Sequence, residues 1–168
     1  MSNVGIDSIR VATALLAVVA LSAAMLGSGK RDELAQIKAL EDALEKAVNA
    51  RDLDGVMAAY AVNVFAFGVA PPRQYVSATS YRDSWKNLLA GPISYRTSDL
   101  AIETHGSVAF GHKVFHATGT DGSGHAFDVT ARVTDVYHKI DDTWRIVQEH
   151  VSVPVDVASG KADLASAP

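Results

Sequence analysis

The chain has 168 residues, 48% of them hydrophobic and 20% charged, with a formal net charge of −4. That length suits one domain with a real core, and an acid excess with no Lys/Arg cluster excludes nucleic acid as the main partner. The absence of cysteine excludes disulfides, thiol catalysis and cysteine-ligated zinc.

The N-terminus reads as an address. Arg10 precedes an uncharged apolar run from Val11 to Leu26, followed by Gly27-Ser28-Gly29. A basic residue, a short apolar stretch and small residues are the plan of a secretory signal, with Ser22-Ala23-Ala24 as the cleavage candidate. The run falls short of the ~20 residues of a membrane span. The expectation is a leader over residues 1–29, a domain over 30–157, a tail over 158–168, and a periplasmic or secreted protein with no stable membrane span in its mature form. A cytoplasmic or N-terminally anchored protein is the alternative.

Leu34, Ile37, Leu40, Leu44 and Val48 recur at steps of three and four, which predicts a helix from Asp32 to Ala50 with one apolar stripe. The charged residues Glu33, Lys38, Glu41, Asp42, Glu45 and Lys46 fall mostly off it. A second short helix is expected from Leu53 to Tyr60, then a strand over Asn63–Phe67 stopped by Pro71-Pro72. Tyr75-Val76 suits a short strand opposite. Ser80 reads as the cap of a further helix, with Asp83 three residues on in the manner of a capping box. That helix carries Tyr81, Trp85, Leu88 and Leu89 and stops at Gly91-Pro92.

Four longer strands come next by pattern, at about Ile93–Glu103, Val108–Thr118, Ala126–Lys139 and Thr143–Val153. Asp121-Gly122-Ser123-Gly124 marks a loop and Asp141-Asp142 a tight turn. Helices followed by a run of antiparallel strands is an α+β order. The residues after Ala158 are small and polar, and are expected to be peripheral or loose.

Side chains alternate faces along a strand. Trp144, Ile146, Gln148, His150 and Ser152 are therefore expected on one face, and Arg132 and Thr134 on one face of the preceding strand. His150 can act as acid, base or ligand near neutral pH; it can equally be a structural histidine. Arg132, facing a half-apolar cavity, could hold an oxyanion with two bonds, or form an internal ion pair. His112 and His116 share a face with Phe110 and Val114, and His112 could reach the same cavity. Four residues apart on a strand, the two histidines stand about 13 Å from each other, too far to chelate one ion. No metal is expected. No cofactor is expected either, since there is no Gly-rich phosphate loop, nucleophile elbow or His-Glu-x-x-His helix.

The block Arg132-Val133-Thr134, Trp144-Arg145-Ile146-Val147-Gln148-Glu149-His150-Val151-Ser152 and Pro154 resembles the last two strands of the nuclear transport factor 2-like superfamily. It is closest to the SnoaL-like and ketosteroid-isomerase-like branches, and also resembles the calcium/calmodulin-dependent protein kinase II association domain. The resemblance implies a cone, in which a strongly bent, mostly antiparallel sheet wraps around N-terminal helices and leaves a cavity at one end. It implies that Tyr60, Tyr75, Tyr81 and Trp85 help close that cavity around a small apolar or aromatic ligand, with Gln148 on its wall. In the isomerase and cyclase branches a carboxylate moves a proton beside a carbonyl. Asp83, Asp99 and Asp128 are the free carboxylates nearest to suitable places, and Asp83 joins His150 and Arg132 as a catalytic candidate. The expected function is small-molecule binding in the cone, with isomerase-, cyclase- or hydrolase-type proton transfer as its chemistry. The alternative is a scaffold module, and a homodimer through the outer sheet face is expected under either.

Overall fold

The computed structural model describes residues 29–165. The leader expected at residues 1–29 lies outside this range but for Gly29. The chain divides into two compact units, Met1–Ala35 and Gln36–Pro168. The second holds all of the sheet and, apart from the first turns of one helix, all of the described elements.

Helix α1 covers residues 29–50. Arg51, at φ 55°, ends it. There the chain turns left-handed, and the Arg51 and Asp52 N–H groups donate to the Val48 and Ala47 carbonyls, both at 2.9 Å. Such a closure satisfies end carbonyls that the helix leaves unpaired. Asp52 then caps α2 (Leu53–Met57) by accepting the Gly55 N–H. Strand β1 spans Tyr60–Phe67, so Tyr60 opens a strand and does not close the preceding helix as its spacing from Val56 suggested. Ala66 and Tyr75 exchange two backbone bonds, at 2.9 and 2.8 Å, which gives Tyr75 the short opposing bridge expected.

Helix α3 runs Ala78–Leu88, and its cap is Ser77 rather than Ser80. Ser77 is extended and its hydroxyl accepts the Ser80 N–H at 3.2 Å. Asp83 thus lies beyond the first turn, exposed on the helix surface, and plays no part in capping.

Strands β2 (Ile93–His105), β3 (Val108–Thr120), β4 (Ala126–Ile140) and β5 (Thr143–Ser152) complete a five-stranded sheet of order β1-β5-β4-β3-β2. Every pairing is antiparallel except β1 with β5. Asp141 and Asp142, at φ 47° and 59°, form the two-residue turn that matches strand twist in a hairpin. The sheet bends into an α+β cone around the N-terminal helices. Ile37, Leu44 and Val48 of α1 join Tyr60, Ala109, Tyr137 and Ile146 of the sheet in one core.

Three pairings of the sheet shift register, one of them β1 with β5 between Tyr60 and Phe65. In β2 the pairing shifts between Ser98 and Ala101, with Asp99 at φ 54°. In β5 the partner of Val136 is Gln148, yet the partner of Tyr137 is Ile146, leaving Val147 as an extra residue. Such a bulge bends a strand and re-aims the side chains beyond it. The described part of the tail lies at the periphery and is tied down there: Val155 bridges Ala162, and Thr130 of β4 donates to the Leu164 carbonyl at 2.7 Å.

Candidate functional site

The bulge at Val147 decides which side chains face the core. Trp144 and Ile146 are buried, but one added residue moves Glu149 inward and leaves His150 exposed. The expectation that Gln148, His150 and Ser152 continue the Trp144–Ile146 face is therefore corrected. A period of two reverses parity when one residue is inserted. His150 pairs across the sheet with Thr134 and Phe67, and its ring lies 5.4 Å from that of Phe67. Arg132 and His112 are exposed on the same solvent face, and Gln148 is half-buried there. Arg132 and Thr134 do share a face, but it is the outer one, so neither Arg132 nor His112 looks into the cone. Of the eight candidates, Tyr60, Tyr75 and Trp85 are buried in the core, whereas His150, Arg132, Asp83, His112 and Gln148 are not.

The inner face holds a different set. Lys113 of β3, Asp135 of β4 and Glu149 of β5 stand side by side under α1, with Lys113 3%, Asp135 1% and Glu149 4% exposed. Asp135 and Glu149 are direct cross-strand partners. The Lys113 ammonium pairs with Asp135 Oδ2 at 3.0 Å and with Glu41 of α1. The Tyr137 hydroxyl donates to Glu41 Oε1 at 2.7 Å. Glu149 accepts from the Tyr60 hydroxyl at 3.0 Å and from the Tyr81 hydroxyl. Four strands and two helices thus converge on three carboxylates, one ammonium and three phenols. Around them Tyr81 packs its ring 5.2 Å from Tyr60, 4.9 Å from Tyr75 and 6.0 Å from Trp85.

Burial of charge costs free energy unless it is paired, and the protonation states reflect this. Burial pushes the Asp135 carboxyl up to about 8, with Lys113 opposing and Glu149 adding to the rise. Burial raises Glu149 too, against the pull of Lys113 and of the two tyrosine hydrogen bonds. Burial alone would lower Lys113, but Asp135 and Glu41 more than offset it and hold the ammonium charged. The Tyr60, Tyr81 and Tyr137 phenols are pushed well up, mainly by burial, and stay protonated donors. Near neutral pH the Asp135–Glu149 pair therefore keeps a proton beside a fixed cation, with the Tyr60 and Tyr81 hydroxyls holding Glu149. An acid and a base in one low-dielectric site are what proton transfer requires. Asp135 Oδ1 and the Trp85 indole N–H are buried with no hydrogen-bond partner.

Residue signals for Lys113, Asp135 and Glu41 were present in the sequence. Ala109, Gly111, Lys113, Phe115 and Ala117 form one face of β3, and Ala131, Val133, Asp135 and Tyr137 one face of β4: small or apolar positions with a single opposite charge on each. Glu41 sits four residues after Ile37 and three before Leu44, on the apolar stripe of α1 rather than off it. No three His, Cys, Asp or Glu side chains are grouped to hold a metal ion among the described residues. A groove of about 430 Å³ runs elsewhere, between α1, α2 and the Asp142–Arg145 segment, with Ala39, Leu40 and Trp144 in its wall; it includes none of the buried acids.

A bent antiparallel sheet wrapped on helices, with polar groups on its concave side, defines the nuclear transport factor 2-like class of domain. Residues 37–156 match the SnoaL-like domain family, and the chain belongs to it. No curated protein matches the sequence. Among solved structures, a nuclear transport factor 2-like protein from Pseudomonas putida is 25% identical with a TM-score of 0.71, covering 80% of this chain and 95% of its own. One named provisionally as a calcium/calmodulin-dependent protein kinase II association domain, from Xanthomonas campestris, is 24% identical at TM-score 0.62, covering 72% and 87%. A ketosteroid isomerase-like protein from Erwinia carotovora is 20% identical at TM-score 0.60, covering 71% and 95%. The last two likenesses are of fold.

Proposed function

We propose that this domain binds a small, partly apolar molecule inside the cone and moves a proton on it. The observation that carries the reading is the cross-strand pair Asp135–Glu149, buried beside Lys113 and held by Tyr60 and Tyr81. In this mechanism Glu149 takes a proton from one position of the bound molecule and returns it at another. The Tyr60 and Tyr81 hydroxyls donate to Glu149 and fix its carboxylate, and the Lys113 ammonium lends positive charge beside it. Tyr75 and Trp85 give the apolar wall. Tyr81 lies between Glu149 and Tyr75, so entry goes with movement of the 68–77 segment that carries Tyr75. The leader composition supports export, and no helix among the described residues is long and apolar enough to cross a membrane.

The test is a thermal-shift screen of the purified protein against steroids, phenols, aromatic acids and lactones. A ligand at a hundred times its dissociation constant adds ~2.7 kcal/mol of stability. A shift in the wild type that disappears in Glu149→Gln and persists in Arg132→Ala supports the interior site; a shift indifferent to Glu149 overturns it.

A second reading rests on the outer sheet face, where Phe110 is 47% and Val108 44% exposed. Large apolar side chains on an open sheet face suit pairing with a second copy, and a homodimer through β3 and β4 is proposed. It is compatible with the interior site. It replaces that site only if no ligand shifts the protein.

A further inference from the structure

The interior set is unbalanced. Glu41, Asp135 and Glu149 face one ammonium, that of Lys113. Lys113 pairs with Glu41 and Asp135 Oδ2, and the hydrogen bonds to the Glu149 carboxylate come from the neutral phenols of Tyr60 and Tyr81. Asp135 Oδ1 is buried without a donor. The titratable groups packed on this point come from every neighbouring element: Glu41 of α1, Tyr60 of β1, Tyr81 of α3, Tyr95 of β2, Lys113 of β3, Asp135 and Tyr137 of β4, and Glu149 of β5. Only one of them brings positive charge. Tyr60, Tyr75, Tyr81 and Trp85 pack against one another beside these carboxylates, with the Tyr60 and Tyr81 hydroxyls turned to Glu149.

Carboxylates in excess of cations, walled by aromatic rings, are the chemistry that recognises an organic ammonium group. We propose that the ligand of the interior site carries such a group, a protonated or quaternary amine, seated between Glu149 and Asp135 against Tyr60, Tyr81 and Trp85. The inference rests on the proposed interior site and names the class of its ligand. In the empty protein a proton on the carboxyl pair relieves the imbalance. The arriving cation takes over that task, and the proton leaves to solvent.

Choline and its uncharged carbon isostere dimethylbutanol are the probes, titrated into the whole protein by calorimetry at about pH 6 and about pH 9. Choline is expected to bind, to release a proton (seen as a heat that varies with the buffer's ionisation enthalpy), and to bind at least about tenfold tighter at the higher pH, because the proton it displaces is then already gone. Dimethylbutanol is expected to bind at least about tenfold more weakly than choline. Glu149→Gln should lower choline affinity by about tenfold or more. Should that variant not fold, the pH dependence and the isostere comparison on the wild type still decide. Equal binding of both probes, proton uptake, or no choline binding at either pH overturns the inference. If choline fails while an uncharged ligand binds in a Glu149-dependent way, the cation inference falls and the interior site stands. If neither class binds, both fall.

Discussion

Strands β3, β4 and β5 show two polar faces, and they differ in kind. The outer face carries His112, His116, Arg132, His138 and His150, most of them open to water. The inner face carries Lys113, Asp135 and Glu149, all buried. An exposed ion costs little and contributes little, because water screens it. A buried one must be matched by neighbours, and whatever is left unmatched shifts its protonation. Buried, perturbed groups therefore gather on the face with fewer ionisable side chains.

The largest effect that tests this contrast is loss of Lys113, the only buried cation among the described residues. Lys113→Met leaves Glu41, Asp135 and Glu149 buried without a counter-charge and should cost ~3–5 kcal/mol of stability. The same change at exposed Arg132 should cost under ~0.5 kcal/mol. Urea unfolding of both variants checks it, and comparable losses would break the comparison. Converting Lys113 together with its carboxylates to apolar residues should recover much of the loss, since the penalty belongs to unpaired charge rather than to polarity removed.

A second effect is spread over pH. Asp135 ionises near 3.8 in the unfolded chain and at about 8 when folded. Between these values the unfolded chain has lost the proton that the native state keeps, so stability falls as pH rises, by up to ~1.4 kcal/mol per pH unit for one proton. The contribution is complete below the lower value and gone above the higher one. Thermal unfolding from pH 4 to pH 9 should show this decline in the wild type, and Asp135→Asn should flatten it. A decline unchanged in Asp135→Asn would assign the proton elsewhere.

How much of the site was written in the sequence divides along the same two faces. The strands and the Asp141-Asp142 turn come from alternation and turn chemistry, which are local; the aromatic wall comes from the family resemblance. Lys113 and Asp135 were readable too, each the lone charge on a face of Ala, Gly, Val and aromatic residues; the more conspicuous histidines on the opposite parity drew attention outward. Glu149 was not readable. Its inward aim depends on an extra residue at Val147, and a bulge arises from how β5 meets β4 and β1, with no mark in a run that reads Ile-Val-Gln-Glu-His. Tyr60 shows the converse: its place in the core holds although its element changed from helix to strand, because burial there depends on what it meets, Glu149 and Tyr81, more than on backbone type.

The smallest predicted effect is the most pointed. His150 adjoins Glu149 in sequence but lies on the other side of the sheet, touching Phe67 at 5.4 Å between ring centroids. His150→Ala removes an exposed side chain and one edge-on ring contact, and should change stability by no more than ~0.5–1 kcal/mol. The thermal shift produced by an interior ligand should be unchanged, because the path from His150 to that ligand passes through the sheet itself. Glu149→Gln, one residue away, should abolish the shift. Two neighbours with opposite outcomes would set the bulge at Val147 as the feature that selects the functional side chain. A ligand response lost in His150→Ala with the monomer–dimer balance also altered would instead tie the outer face to the site through pairing of two copies, and sedimentation of the variant separates that case from a misassigned face.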